Sequence, residues 1–462
     1  MKSSDANQVV IRLKSGEFWR FYSKKGQGIY YRKLNQDGQW GAPIELATGV
    51  NEEFSACIDN QDTLHLICLG KKGELHYMRY NGRTWSEQTV GRYEPMRYII
   101  RYPSIVVIGN TVHILIMVGT SFNIGLWGIH HYQWDGYTWT SKDVCKFTGG
   151  RNPHPFLADS YHSNLHILYR ALYTNNKFQI LHCRFHQESG IWSTPMDITG
   201  NQSDCMAPSM LLEDKKLHLV WLSVESNLSR VAYKNTPLNP YSQPSPGKTV
   251  YLSPEGYSCS SPQIYMVEKL IWCTWYQNDT LYASSSADGG MTWSPPKAVN
   301  WPSGIAEYTI RYSSNYQPEK EKVRIHSASA HFNNGISIPM VEITQTYIPA
   351  REPEKEQELM EASIEESRVE ESKVQKTEDT EPPADEKFRL ILDELQRLRE
   401  QSQEGTAKIL ESLGRIQELE KQMAKLSEKV QKLLVEAEET KNEVFRLQEK
   451  GFIRSIFRSH RG

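Results

Sequence analysis

No apolar run in this chain approaches the ~20 residues needed to cross a bilayer as a helix. The first residues, Met1-Lys-Ser-Ser-Asp-Ala-Asn-Gln8, contain no apolar leader core. Those two absences lead to the expectation of a cytoplasmic protein. Charge of one sign is also missing: 53 Lys and Arg face 55 Asp and Glu, for a net charge of −2. That gives no electrostatic case for nucleic acid as a partner. Cysteine is sparse and odd in number, seven in 462 residues. Cys57, Cys68, Cys145, Cys183, Cys205, Cys259 and Cys273 are scattered through apolar segments, which speaks for reduced thiols and against a disulfide framework.

What the chain does have is a recurring turn. Asp37-Gly-Gln-Trp40, Asn81-Gly-Arg-Thr-Trp85, Asp135-Gly-Tyr-Thr-Trp139, Ser189-Gly-Ile-Trp192 and Asp288-Gly-Gly-Met-Thr-Trp293 each end an apolar segment with Gly and then Trp. Their spacing of about 45 to 55 residues, with one double-length gap, is the period of a four-stranded propeller blade. Between the turns lie short β-branched and aromatic runs such as Leu64-His-Leu-Ile-Cys-Leu69 and Val112-His-Ile-Leu-Ile-Met117. They read as antiparallel strands. The expected fold is an all-β propeller over residues 1–349. Six blades are favoured, with 306–346 closing the ring; a degenerate seventh blade is the alternative, because that segment holds strand material but no Trp turn.

One turn is complete. Ser286-Ala-Asp288-Gly-Gly290-Met-Thr292-Trp293 fits Ser-x-Asp-x-Gly-x-Thr-Trp, and on it the chain resembles the sialidase-like six-bladed propellers with Asp-box (BNR) repeats. The resemblance spans roughly residues 8–346. It implies that Ser286, Asp288, Gly290, Thr292 and Trp293 hold a hairpin together at the blade periphery, away from any active centre. It also implies what catalysis would require: three Arg around a carboxylate, a Tyr nucleophile with a Glu base, and an Asp acid. The residues available for those roles are Arg12 in the first strand, Arg101 before Tyr-Pro, and Arg311 with Tyr312 late in the propeller. None of these stretches matches the family pattern in full, and Tyr312 has no Glu partner assignable from sequence. An exo-sialidase-like glycoside hydrolase is therefore the alternative, and a non-enzymatic propeller the leading expectation.

His65, His113, His166 and His218 fall at one position of successive units. Around a ring, equivalent positions stand apart, so a repeated packing role is expected and no metal or other cofactor. His130 and His131 are neighbours on a strand and point to opposite faces.

Composition changes after Pro349. Residues 350–386 are acid-rich and lack aromatics, with a near-repeat, Glu365-Glu-Ser-Arg-Val then Glu370-Glu-Ser-Lys-Val. Such a segment buries too little apolar surface to offset its conformational entropy and reads as a flexible linker. Residues 387–450 carry an unbroken a/d register from Phe388/Ile391 to Val444/Leu447. Its best heptads are Ile416/Leu419, Met423/Leu426 and Val430/Leu433. This is a coiled coil for self-association, a parallel dimer by its β-branched a and Leu d positions and compatible with a trimer. Ser402 and Gly405 at core positions mark a weak point. The tail, 451–462, places Phe452, Ile453, Ile456 and Phe457 beside Arg454, Arg458 and Arg461, a face suited to a protein groove or an anionic membrane. The whole reads as a binding or scaffold protein. Its propeller mouth takes an unknown ligand or protein, a glycan among the candidates, and its stalk multiplies the heads.

Overall fold

A computed structural model describes residues 8–349 except 36, 174–175, 201–202, 239–246, 303–306, 321, 333–334 and 344–346, together with Glu436. The expected linker, coiled coil and basic tail, with Ile416, Leu419, Met423, Leu426, Val430 and Leu433, lie outside the described residues. Among the described residues no helix is long and apolar enough to cross a membrane.

The described strands are all β and form six hydrogen-bonded sheets in the manner of a propeller. Four are consecutive antiparallel units, 50–92, 98–148, 157–197 and 204–251, and a fifth, 259–298, gains Val323–Arg324 as a further antiparallel strand beside Cys259–Val267. The sixth sheet is composite. An N-terminal meander, Gln8–Arg12, Phe18–Lys24, Gly28–Lys33 and Ile44–Ala47, is joined through Tyr308–Ser314 to a C-terminal meander, Ala328–Phe332, Ile336–Ile338, Val341–Ile343 and Tyr347–Pro349. Tyr308–Ser314 serves both sides: Tyr308, Thr309 and Ile310 pair antiparallel with Ala330, Ser329 and Ala328, while Ile310 to Ser314 pair parallel with Gln8 to Arg12. Tyr308–Ser314 thus joins the C-terminal segment to the N-terminal strand, and the four short strands between Ala328 and Pro349 form a meander of their own.

The repeated Trp has a structural reason that its spacing alone does not reveal. Each one packs on the preceding unit. Trp85 meets Trp19 and Phe21, Trp139 meets Tyr77 edge-on at 5.4 Å, Trp192 meets His131 at 5.4 Å, and Trp293 meets Tyr233 at 4.7 Å. Trp40 of the N-terminal meander stands edge-on to Phe332 at 5.7 Å, so the C-terminal meander occupies the preceding position for it.

A second repeated contact ties the innermost strands. The Ser55 hydroxyl accepts from the Ile105 N–H, Ser209 from Ile264, and the Gln263 amide oxygen from Ser329, each across one junction. These acceptors are buried, and each satisfies a backbone donor that a widening ring would otherwise strand. In three units the residue before the Pro of this strand, Tyr102, Ala207 and Ser261, has φ of 55°, 47° and 51°. The ladder slips in register at the same places. A bulge here bends the strand.

Candidate functional site

The central channel is the cavity onto which the innermost strands converge. Its volume is about 290 Å³, and its walls include Cys57, Val106, Asp159 and Leu211 from four successive units and Arg311, Ser313, Arg324 and His326 from the C-terminal segment. Cys57, Val106, Asp159 and Leu211 occupy one repeat position, two residues after the junction acceptor or its equivalent. Three units place an apolar or thiol side chain there and one places an acid.

Arg311 is half-buried and reaches across the channel. Its Nη1 lies 3.4 Å from the Ser55 hydroxyl and 3.5 Å from that of Ser104. Among the described residues no carboxylate stands within ion-pair distance of it. Burial lowers its pKa, with Asp159 the leading charge opposing that shift. Arg324 is already committed to Glu213 at 2.7 Å. Asp159 accepts the Ser160 N–H at 2.8 Å, and burial in the channel wall pushes its carboxyl up to about 6 despite Arg311 and Arg324. Its side chain is 39% exposed, but only to the confined channel, so removal from bulk solvent is the physical cause. His326 approaches Asp159 at 3.9 Å and is pushed down to about 3 by burial and by Arg311, which keeps the ring neutral. Among the described residues the channel therefore offers a guanidinium without an ion-pair partner, a carboxyl raised to about 6, and serine hydroxyls.

Of the four catalytic candidates, Arg12 and Tyr312 meet at one buried carboxylate, while Arg311 and Arg101 stand apart from them. Arg311 and Tyr312 are successive strand residues and face opposite ways. Tyr312 turns from the channel into the core with Val10, Phe18 and Ile310. Its hydroxyl donates to Glu319 Oε2 at 2.5 Å, the partner not assignable from sequence, and Ser314 donates to the same oxygen at 2.8 Å. Burial and Glu319 raise the Tyr312 pKa well above the phenol range. Arg12, fully buried, forms an ion pair with the other oxygen of Glu319. Arg101 lies elsewhere, pairing with Glu53 at 2.6 Å beside Tyr102. Asp159, His326 and Glu319 were missed by sequence reasoning. Asp159 had a usable signal: it is an acid at a repeat position that is otherwise uncharged.

The Ser286–Trp293 turn is a closed set of local bonds. Asp288 accepts from the Met291 and Thr292 N–H groups at 2.9 Å, and Thr292 Oγ1 donates to it at 2.5 Å. Ser286 Oγ donates to Asp288 and accepts the Gly290 N–H at 2.9 Å. These bonds hold the Asp288 pKa down against partial burial.

The repeated histidines pair within their own units. His113 meets His131 at 2.9 Å, His166 meets His182 at 3.0 Å, and His65 and His218 meet the hydroxyls of Tyr77 and Tyr233 at 2.7 and 2.8 Å. The Trp192 indole donates to His131 Nδ1, so His131 Nε2 carries the proton given to His113. No group of three or more metal-ligating side chains occurs among the described residues.

No protein-family model matches this sequence, and no curated protein matches it. Among solved structures, the Aleuria aurantia lectin, described as a six-bladed propeller with a fucose recognition mode, is 15% identical over 64% of this chain and 96% of its own, with a TM-score of 0.36. A Penicillium chrysogenum alpha-L-arabinanase complexed with arabinobiose is 12% identical over 75% of this chain and 100% of its own, at 0.43. A subtype N10 neuraminidase-like protein from a little yellow-shouldered bat isolate is 10% identical over 60% and 92%, at 0.38. Likeness at this level says nothing about the chemistry of the channel.

Proposed function

We propose that this chain is a non-enzymatic recognition protein whose propeller takes a carboxylate-bearing, hydroxyl-rich ligand, of the acidic-sugar type, in its central channel. The observation that carries this reading is Arg311: a half-buried guanidinium in the channel wall, touched by two serine hydroxyls and by no carboxylate within ion-pair distance among the described residues. A carboxylate supplies the missing counter-charge in the fork geometry that guanidinium favours. Asp159, Ser160 and Ser313 then face ligand hydroxyls. The hydrolase alternative needs a phenol free to attack. Tyr312, next to the channel Arg in the strand, has the Glu partner such a nucleophile needs, but it is buried in the core with Val10, Phe18 and Ile310, where a channel ligand does not reach its oxygen.

The test is calorimetric titration of the full chain with N-acetylneuraminate and glucuronate, alongside turnover of a fluorogenic sialoside. Arg311→Ala should weaken carboxylate binding by about 2 kcal/mol or more, roughly thirtyfold. Turnover that disappears with Tyr312→Phe in a folded variant would overturn the proposal in favour of the hydrolase. Acidity gives a second readout. Above pH about 6 the Asp159 carboxylate repels the ligand's own charge, and below it the neutral acid donates a hydrogen bond. Affinity should therefore rise as pH falls from about 7.5 to about 5.5, and Asp159→Asn should flatten that profile. Stability has the matching sign. The folded chain keeps this proton up to about pH 6 and the unfolded chain releases it near the ordinary carboxylate value, so Asp159 opposes folding increasingly as pH rises between the two. Asp159→Asn should accordingly raise Tm in alkaline buffer and leave it unchanged in acid.

The stalk completes the proposal. An a/d seam over 387–450 is buried only against another helix, which links weak heads and multiplies their avidity. By light scattering the full chain should be oligomeric. Replacing Leu419 and Leu426 with Asp should reduce it to monomers with an unchanged head, since carboxylates are too costly to desolvate in the seam. A monomeric parent, or a double variant that keeps its mass, removes the stalk from the proposal and leaves the channel untouched.

A further inference from the structure

A second cavity, of about 370 Å³, opens between the N-terminal meander and Tyr308, away from the central channel. Its lining is Gln8, Arg20, Tyr22, Ser23, Lys24, Lys25, Arg32 and Tyr308: four cations and no acid. In a chain whose charges nearly cancel, that is an uneven local balance.

The strand ladder creates it. Arg20, Tyr22 and Lys24 alternate onto one face of Phe18–Lys24, and Arg20 stands directly opposite Arg32 in the antiparallel register. Like charges opposed across a ladder repel. Elsewhere in this meander a cation has its partner, as Lys33 does in Glu17 at 2.8 Å. Among the described residues none of the four pocket cations does. Neutral groups hold three of them, Arg20, Arg32 and Lys24, instead. Arg20 Nε donates to the Gln8 amide oxygen at 2.7 Å, and its guanidinium lies 3.5 Å from the Phe332 ring centroid. Arg32 Nε donates to the Tyr22 hydroxyl at 3.2 Å, and Lys24 Nζ sits 4.2 Å over the Tyr30 ring. Each contact fixes a cation without neutralising it, leaving guanidinium and ammonium donors around one opening. Burial lowers the Arg20 pKa to about 10, and Arg32 adds to the shift.

We infer that this pocket binds a multiply charged tetrahedral oxyanion, a phosphoryl or sulfate group, carried on a small ligand. A tetrahedral group with two charges accepts from several donors at once and relieves the Arg20–Arg32 repulsion, which a single carboxylate does only in part. The site is independent of the channel and does not rest on the proposed function of Arg311.

Isothermal titration of the full chain with inorganic pyrophosphate, and separately with sodium sulfate, in low and then raised potassium chloride, tests it. Saturable one-to-one binding of at least one of them is expected, weaker in raised salt. Arg20→Gln and Lys24→Gln should each weaken it roughly tenfold, as expected for loss of a charge-assisted donor. Lys25→Gln, at an exposed side chain whose loss leaves folding intact, should weaken it several-fold. Arg311→Ala should leave it unchanged. Pyrophosphate binding without sulfate binding assigns a phosphorylated ligand; sulfate binding equal to or tighter than pyrophosphate assigns a sulfated one. Absence of saturable binding by either anion, or binding that is unaltered in Lys25→Gln and in a folded Arg20→Gln, overturns the inference.

Discussion

Glu319→Ala should lower the unfolding free energy by about 3–5 kcal/mol, because it removes the carboxylate paired with the buried Arg12 guanidinium. Arg12 and Glu319 are both fully buried, and Glu319 also accepts from Tyr312 and Ser314, so one deletion removes the carboxylate that a guanidinium and two hydroxyl donors share. Stacking of Arg12 between Phe18 and Tyr316, 4.3 and 3.8 Å from the ring centroids, keeps the guanidinium from escaping to water. The cost falls on ring closure. Arg12 is the last residue of the parallel seam with Ser314, and its carbonyl accepts the Asn315 N–H at 2.9 Å. Urea unfolding followed by Trp fluorescence measures the effect. Tyr312→Phe removes one hydroxyl from the set and should cost about 1 kcal/mol. Arg12→Met combined with Glu319→Leu should be milder than Glu319→Ala alone, since no buried charge remains. A loss for Glu319→Ala no larger than for Tyr312→Phe would mean that the pair does not hold the seam.

This cluster also shows where sequence reading stops. Strand and turn positions were legible because they follow from local periodicity: Trp85 and Trp139 open strands as their turns predict. The role of those Trp side chains was not, because each acts on the preceding unit, 64 residues away for Trp85 and Phe21 and 62 for Trp139 and Tyr77. The C-terminal meander was harder still. Its later strands have three residues each, and it carries no Trp turn of its own, being met instead by Trp40 from the other end of the chain. The site divides in the same way. Arg311 was visible as an Arg late in the propeller, but strand alternation alone does not say which of Arg311 and Tyr312 faces the channel. Glu319 follows Tyr312 by only seven residues, yet its other partner, Arg12, lies 307 residues away. Long-range charge pairing has no periodic signature to read.

Gly290→Ala should be among the most damaging small substitutions in the propeller, at about 2–5 kcal/mol from backbone strain and overpacking together. Gly290 has φ of +82°, and a Cβ there would stand 1.7 Å from the Tyr233 hydroxyl of the preceding unit. Tyr233 has no room to yield. It is buried, bonded to His218 at 2.8 Å and packed edge-on against Trp293, so the methyl either breaks those contacts or pushes the two units apart. The neighbouring Gly289 is the control. Its φ is +68°, but the nearest atom to an added Cβ is the mobile Lys216 Nζ at 3.4 Å, so Gly289→Ala carries the left-handed backbone penalty alone, about 1–2 kcal/mol. Thermal melts of the two variants separate the local cost of the turn from the cost of the junction between units. If both fall equally, the Ser286–Trp293 turn stabilises only its own hairpin. If Gly290→Ala falls much further, and Tyr233→Phe restores part of the loss by removing the obstructing oxygen, the turn is a contact that holds adjacent units of the ring in register.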